Sequence, residues 1–288
     1  MPLFGVHESI ADGFDQAVFH AAEMGFDTIQ IFSKNSNRWS AKPIPMETAA
    51  QFREALQKTG CSRPVIHDSY LINAASPNEV LRTKSINALI DELNRADLLG
   101  ISGVVMHPGA YTTGTEDSGL RLVAESLDLV FQETNSSALI LLETTAGQGT
   151  CLGSRFEHLA EIIEQSHYPE RLGICLDTCH IFAAGYDFQT KTNYEKMMAE
   201  FDTVIGLDRL KALHLNDSVK GCGSRVDRHA AIGHGAIGKK AFGFFVNDPR
   251  LSMLPMILET PKGLVEIDGI AEDWDQVNLR TLRSLVGT

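Results

Sequence analysis

The sequence predicts an α/β protein built on a single (β/α)8 TIM barrel. Eight apolar, strand-like runs recur along the 288 residues, and successive runs end roughly 25 to 45 residues apart, which leaves room for a loop, a helix and a return loop. Stretches with apolar residues at three- and four-residue spacing separate the runs, as outer helices require. The repeat occupies the whole chain, 1–288, without a linker or a low-complexity tract, so we expect one domain.

The predicted strands share an apolar body and end in or beside a polar side chain. In chain order they are LFGVH (to His7), DTIQIFS (to Ser33), PVIH (to His67), GVVMH (to His107), ALILLE (to Glu143), LGICLD (to Asp177), KALHL (through His214) and PMILE (to Glu259). Barrels of this type carry their chemistry at the C-terminal ends of the strands, so the last six of these residues should meet at one mouth.

The outer helices are predicted from amphipathic spacing, and several of them end at a glycine, which is a helix-stop signal. They cover residues 14–25, 47–60, 85–100, 118–132, 156–165 and 274–286. The connections that follow the strands are longer and more polar than those that precede them. This one-sided elaboration is expected when one face of a barrel carries the function.

Candidate metal ligands are concentrated at that face. Imidazoles and carboxylates in one cavity are typical ligands of zinc and other first-row divalent metals. Asp177 and His180 lie three residues apart in the turn after strand six, and Asp227 and His229 lie two apart, on one face of an extended segment. The complete set is His67, His107, Glu143, Asp177, His180, His214, Asp227, His229 and Glu259. Nine ligands are too many for one four-coordinate ion and suit about three ions if a carboxylate bridges two of them.

The other histidines are left out of this set. His20 and His158 lie within predicted helices, His167 lies in a helix–strand connection, and His7 closes a strand without a nearby carboxylate partner. His234, next to the last ligands, remains ambiguous.

One motif suggests a different cofactor. Residues Gly233 to Gly238 match the pattern GxGxxG, with Glu259 about twenty residues further on, as in dinucleotide-binding units. The match does not directly follow a strand of such a unit, and Glu259 itself closes a strand. We interpret these glycines as a tight turn before a helix and expect no nucleotide cofactor.

Composition indicates a soluble cytoplasmic protein, and we expect a monomer without a membrane partner. The start, MPLFGVHESIADG, lacks a basic region followed by an apolar stretch, and no later run approaches a membrane-spanning length. The cysteines are an odd, scattered set without a CxxC pair, typical of packed and reduced thiols. They are Cys61, Cys151, Cys175, Cys179 and Cys222.

The net charge of −12 at first argues against a nucleic-acid partner. Three bound divalent ions would raise it to −6, however, and basic side chains gather on the loops after strands two and seven, which should rim the mouth. They are Lys34, Arg38, Lys220, Arg225, Arg228, Lys239 and Lys240. Tyr70 and Leu71 follow His67 on a third rim loop, where an aromatic side chain can wedge into a base stack. A local DNA-binding surface is therefore compatible with an acidic chain.

Long motifs surround these residues: HDSYLIN, MHPG, ETTAGQG, LDTCHIFAAGYD, HLNDS with GSRVDRH, and ILET. They resemble endonuclease IV, the zinc-dependent apurinic/apyrimidinic endonuclease family of base-excision repair, and the resemblance covers nearly the whole chain. It implies three zinc ions. The first would be held by His67, His107 and Glu143, the second by Glu143, Asp177, His214 and Glu259, and the third by His180, Asp227 and His229.

By this resemblance the chain hydrolyses the phosphodiester 5′ to an abasic site in double-stranded DNA, leaving a 3′-hydroxyl and a 5′-deoxyribose phosphate, and also acts as a 3′-phosphodiesterase. Glu143 and Glu259 are expected at the reacting centre. No protein nucleophile is needed, because zinc lowers the pKa of water to about 7. The arginine that some members insert into the DNA stack falls one position away, at Arg38, so Asn37 and Arg38 are both candidates for that role.

Two other classes of function remain possible for such a barrel. A sugar isomerase or epimerase usually needs fewer metals and moves protons with a lysine or a carboxylate pair, which leaves the nine ligands unexplained. A non-catalytic module that binds DNA lesions or metals would keep the rim and the ions without turnover. Assays of ketose–aldose interconversion and of abasic-DNA cleavage separate the three.

Overall fold

A computed structural model describes residues 2–287 of the chain. Its strands are β1 (Leu3–Glu8), β2 (Thr28–Phe32), β3 (Val65–His67), β4 (Gly103–Met106), β5 (Leu139–Glu143), β6 (Leu172–Asp177), β7 (Leu210–His214), β8 (Asp217–Ser218), β9 (His229–Ala230), β10 (Pro255–Leu258), β11 (Leu264–Ile267) and β12 (Ile270–Asp273). The first seven and β10 form a closed barrel of parallel strands, in the order β1-β10-β7-β6-β5-β4-β3-β2. The predicted TIM barrel and its eight strands are confirmed.

The short strands that were not predicted belong to loops at the C-terminal end of the barrel. β8 and β9 pair in antiparallel fashion after β7, and β11 and β12 do so after β10. The loops on this side therefore carry structure of their own, which fits the one-sided elaboration expected from the sequence.

The α-helices are α1 (Phe14–Met24), α2 (Met46–Thr59), α3 (Glu79–Leu99), α4 (Glu116–Glu133), α5 (Phe156–Gln165), α6 (Thr178–Ala184), α7 (Lys191–Val204), α8 (Lys239–Val246) and α9 (Trp274–Arg283). The predicted helices are all present, and α3 begins six residues early because Asn78 caps it by accepting a hydrogen bond from the Leu81 amide. The short α6 escaped prediction because six of its seven residues are buried, which leaves no amphipathic pattern.

Helix α7 was also missed, although its sequence carries a helical signal. Tyr194, Met197, Met198 and Phe201 are its buried residues, at spacings of three, four and seven. Along the described chain, no helix combines the length and the apolar composition needed to cross a membrane.

Apolar side chains are buried in two separate places. The larger cluster includes alternate strand residues such as Ile140 and Leu142 together with the inner faces of the helices. The smaller cluster takes one residue from each of six barrel strands: Val65, Val105, Leu141, Cys175, Ala212 and Ile257. Because neighbouring residues of a strand point to opposite faces, this second cluster fills the interior of the barrel.

Candidate metal centre

Six of the candidate ligands lie next to the apolar cluster inside the barrel, on the side of the C-terminal mouth. Each follows a residue of that cluster by two positions, so its side chain points to the same inner face of the strand. The six are His67, His107, Glu143, Asp177, His214 and Glu259. The interior of the barrel therefore forms an apolar floor beneath a layer of imidazoles and carboxylates.

The remaining three candidate ligands lie beyond the C-terminal ends of β6 and β7. Asp177 ends β6 and caps α6 by accepting a hydrogen bond of 2.8 Å from the His180 amide, which fixes the two residues relative to each other. His229 begins β9, and Asp227 precedes it by two positions in the segment before that strand. The Asp227 Oδ1 atom lies 3.2 Å from His180 Nε2 and 3.4 Å from His229 Nε2.

The nine side chains form three groups in which the potential donor atoms lie within 4.8 Å of one another. The groups are His67–His107–Glu143, Glu143–Asp177–His214–Glu259 and His180–Asp227–His229. Glu143 belongs to two of these groups and also lies close to His180 of the third group. Its Oε2 lies 3.1 Å from both His67 and His107, and its Oε1 lies 3.0 Å from His214 and 3.2 Å from His180.

Hydrogen bonds turn the ring nitrogens of these histidines in definite directions. His67 Nδ1 lies 3.0 Å from the carbonyl of Asp68, His180 Nδ1 lies 2.8 Å from that of Thr144, and His229 Nδ1 lies 3.1 Å from that of Glu259. A carbonyl oxygen only accepts, so each Nδ1 is a donor and each Nε2 is the ring nitrogen left to face the centre of the site.

The Nε2 atom of His229 is buried and has no hydrogen-bond partner among the described residues. A buried polar atom without a partner is costly, and a metal ion is one group that would satisfy a ring nitrogen of this kind. The donor set and its orientation thus fit divalent metal ions.

Charge is balanced within the site. Burial alone would raise the pKa of Glu143 and of Glu259, but the nearby imidazoles, above all that of His214, hold both well below their usual range. Both carboxyl groups are therefore ionised at neutral pH. They require positive charge close by, which protonated imidazoles or metal cations can provide.

Two residues at the same level were missed from the sequence. Gln30 donates from Nε2 to Glu259 Oε1 at 2.5 Å, and its Oε1 lies 2.8 Å from His214 Nε2. His7 lies 3.7 Å from Glu259 Oε1 and also contacts Gln30, so the expectation that His7 has no carboxylate nearby was wrong. The signal was the alternation in β1 and β2, because His7 and Gln30 pair across these strands and complete the inner layer.

The loops around the mouth present most of the residues expected to contact DNA. Tyr70 is 65% exposed and packs edge-on against Phe32, with ring centroids 5.4 Å apart. Leu71 beside it is half-buried. The exposed polar residues are Asn37, Arg38, Lys220, Arg225 and Arg228. A cavity of about 520 Å³ opens between Tyr70 and the candidate ligands His67, His107, His180 and Asp227.

Lys34 departs from the expected surface position and requires a correction. Its side chain is 1% exposed, and its ammonium group lies 2.9 Å from Asp91 and 2.6 Å from Glu92. A buried ammonium with two carboxylate partners is not accessible to a DNA phosphate. Lys34 instead joins the loop after β2 to α3.

Two residues outside the predicted ligand set, His234 and Cys179, lie near it in the sequence. His234 is exposed and packs against Trp274, with ring centroids 5.1 Å apart. Cys179 lies in a fourth group of possible donors with Asp177 and His229. Burial raises the pKa of the Cys179 thiol to about 12, so the thiol stays protonated at neutral pH, as expected for a packed cysteine.

The chain matches one family of TIM barrels and, over nearly its whole length, several named bacterial proteins. Residues 18–285 match the family described as xylose isomerase-like TIM barrel. A protein of Chloroflexus aurantiacus named probable endonuclease 4 is 53% identical over 287 residues, with 99% of each chain covered. A probable endonuclease 4 of Geobacter sp. is 47% identical over 288 residues, again with 99% of each chain covered.

Solved structures agree with the sequence matches. The crystal structure of endonuclease IV from Thermus thermophilus matches with a TM-score of 0.84 and 37% identity, and the match covers 99% of this chain and 98% of that one. A D-tagatose 3-epimerase-like protein matches with a TM-score of 0.68 and 20% identity over 98% and 96% of the two chains. The second likeness concerns the fold alone.

Proposed function

The chain belongs to the endonuclease IV family, and we propose on this basis that it hydrolyses the phosphodiester bond 5′ to abasic sites in double-stranded DNA. The products are a 3′-hydroxyl and a 5′-deoxyribose phosphate, and the same hydrolysis removes blocking groups from 3′ ends. One observation carries the proposal, namely the convergence of nine imidazole and carboxylate side chains into three adjoining groups. An isomerase or epimerase that works with fewer metals would not need this number.

In this proposal each group holds one zinc ion. Bound there, the metal supplies Lewis acidity and lowers the pKa of water to about 7. Glu143 sets the spacing of the first two groups, since one oxygen faces His67 and His107 while the other faces His214. The Glu259 carboxylate is held in place by Gln30 at Oε1 and turns Oε2 toward His214, at 3.1 Å.

The thiols of Cys175 and Cys179 are not available as nucleophiles at this site. Burial raises the pKa of Cys175 and of Cys179 to about 12, and both thiols are therefore protonated at neutral pH. The role of the chain is to orient ligands, to place the phosphodiester over the three groups and to recognise the lesion.

Recognition is assigned to the rim. The exposed Tyr70 stands between solvent and the cavity that His67, His107 and Asp227 line. A cavity of about 520 Å³ accommodates a sugar-phosphate unit turned out of the duplex. Arg38 or Asn37 enters the stack from the loop after β2, while Lys220, Arg225 and Arg228 contact phosphates. We place this activity in the cytoplasm, at the nucleoid, and assign it to a monomer.

The decisive experiment incubates the protein with a duplex that contains one abasic site, with and without prior chelation. Cleavage 5′ to the lesion is expected from the metal-replete protein alone, and elemental analysis should give about three ions per chain, mainly zinc. Ketose–aldose interconversion without DNA cleavage would establish the epimerase alternative, and lesion binding without turnover would establish a non-catalytic module.

A variant of Glu259 tests the centre directly. Glu259→Gln keeps the side-chain shape but removes the charge that faces His214, so turnover should fall by orders of magnitude while the affinity for abasic DNA is retained. Glu266→Gln, on exposed strand β11, is the matched control and should behave as wild type. Near-normal turnover of Glu259→Gln would remove Glu259 from the reacting centre.

A further inference from the structure

The GxGxxG segment, residues Gly233 to Gly238, surrounds a buried carboxylate of the chain itself. Asp217 is 0% exposed. Its Oδ2 accepts hydrogen bonds from the amides of Gly233 at 2.9 Å, Gly235 at 3.1 Å and Gly238 at 3.3 Å. Its Oδ1 accepts from Ile237 at 2.9 Å and from Ser218 at 2.8 Å.

Successive backbone amides that point inward form an anion-binding nest. In this nest the anion is the side chain of Asp217, which accepts the amide hydrogen bonds that a phosphate would otherwise accept. The fit leaves no spare room, because a Cβ at Gly235 would lie 2.4 Å from the Ser218 carbonyl oxygen and 2.5 Å from Asp217 Oδ1. The glycines therefore serve the close approach of the loop to Asp217.

Asp217 is also tied to the strand that carries a proposed metal ligand. It begins β8, which pairs with β9 so that Asp217 lies opposite Ala230 and Ser218 lies opposite His229. The Ala236 amide donates to the Ser218 carbonyl at 2.7 Å, so the glycine loop is hydrogen-bonded to both residues of β8. β9 and the preceding Asp227 are thus held by a two-residue strand that Asp217 anchors.

We propose that Asp217 is a positioning residue for the His180–Asp227–His229 group, acting through the glycine loop and β8. A strand pair of two residues on each side has too few hydrogen bonds to be rigid by itself. Five charge-assisted hydrogen bonds to one buried carboxylate provide the missing constraint. The inference rests on the proposed function, because it takes this group to be the third metal site.

The test is zinc stoichiometry in Asp217→Asn, after removal of metal by a chelator and titration with Zn²⁺. Asparagine keeps the shape but replaces one acceptor oxygen with an NH₂ group, which confronts the donors of the nest. The variant should bind about two ions with wild-type affinity and the third at least tenfold more weakly. Asp248→Asn is the matched control, since Asp248 is a buried, hydrogen-bonded carboxylate before β10, at the other end of the barrel. It should keep three ions.

A second variant protects the test against misfolding. Gly238→Ala adds a Cβ that meets no neighbour, but it strains a backbone with a φ of +83°, so it should loosen the nest more gently and weaken the same single ion. His229→Ala should lose that ion outright, and excess Zn²⁺ should restore it in Asp217→Asn only. Three ions bound with wild-type affinity in either Asp217→Asn or Gly238→Ala would overturn the inference.

Wild-type measurements separate this inference from the proposed function. A wild-type protein that holds three ions but does not cleave abasic DNA contradicts the activity and leaves the role of Asp217 standing. A wild-type protein that holds fewer than three ions overturns the proposed centre and, with it, this inference.

Discussion

At the scale of single residues, hydrogen bonds to oxygen acceptors decide which nitrogen of His67, His180 and His214 faces the site. His67 and His180 each donate from Nδ1 to a backbone carbonyl, whereas His214 directs Nε2 to the side chain of Gln30. His214 therefore presents Nδ1 to Glu143 and Glu259. An uncharged glutamine on β2 thus orients the candidate ligand His214 on β7, as the hydrogen-bond partners of metal-bound histidines usually do.

Tyr70 is the residue on which lesion recognition is predicted to depend. An abasic site is easier to open than intact duplex, and an exposed ring beside the cavity can exploit the gap. Tyr70→Ala should leave the metal content unchanged and weaken selectivity for abasic over intact duplex by roughly 1–3 kcal/mol, the range for one lost stacking contact. Competition binding of the two duplexes measures this effect. Tyr70→Phe keeps the ring and is the control; unchanged selectivity in Tyr70→Ala would make the tyrosine a packing residue against Phe32.

The same competition assay compares the two candidates of the second loop. Arg38 and Asn37 are both exposed on the loop after β2. If Arg38 enters the stack, Arg38→Ala should reduce selectivity about as much as Tyr70→Ala, and Asn37→Ala should reduce it much less. The reverse order would assign the role to Asn37.

At the scale of elements, helix α3 holds the loop after β2, which in turn contacts the loop that carries Tyr70. Arg95 donates to the Ser33 carbonyl at 2.8 Å and to the Lys42 carbonyl at 3.1 Å, so both ends of the loop after β2 are tied to the helix. The Ser69 hydroxyl donates to the Ser36 carbonyl at 2.6 Å and joins this loop to the one that carries Tyr70. The two loops are therefore expected to move as one unit.

The buried ion pair beneath these loops gives a prediction for stability. Lys34 and Glu92 are each 1% exposed at the side chain, and Glu92 also accepts a hydrogen bond from Ser33. Glu92→Gln should lower the free energy of unfolding by about 3 kcal/mol, because removing one partner leaves a buried charge poorly compensated. Urea unfolding measures the loss. Asp91→Asn, at the more exposed partner, should cost at most about 1 kcal/mol; equal losses would mean that Glu92 is not the dominant partner of Lys34.

At the scale of the whole molecule, an acidic chain is proposed to bind a polyanion. The net charge is −12. Four of its carboxylates, however, belong to the proposed metal centre, where bound cations would neutralise them. A fifth, Asp217, is surrounded by backbone amides. The exposed arginines and lysine of the rim stand on the loops after β2 and β7, at one end of the barrel. Local potential rather than net charge should therefore govern the encounter with DNA.

Salt dependence tests this arrangement. If Lys220, Arg225 and Arg228 contact phosphates, the logarithm of the association constant should fall with the logarithm of salt concentration with a slope of about −2 to −3, at roughly −0.9 per contact. Arg228→Ala should reduce the steepness by about one, and Lys58→Ala, remote on α2, should not change it. A flat salt dependence would contradict the proposed phosphate track.

Much of this protein is readable from its sequence because the relevant signals are local. Each barrel strand is a short apolar run, and six candidate ligands stand at the ends of such runs, two positions beyond a residue that fills the barrel. The DxxH and DxH spacings are local as well. The eight strands, the family and the nine side chains that converge at the mouth therefore follow from the chain alone.

Only the tertiary structure decided how side chains pair across long separations. Lys34 looks like a surface cation until α3 brings Glu92 and Asp91 against it, and the GxGxxG segment looks like a phosphate site until β8 places Asp217 inside it. His7 and Gln30 join the inner layer because the register of β1 and β2 aligns them with Glu259. In each case the partner lies at least 16 residues away in sequence, so the pairing depends on packing rather than on any local pattern.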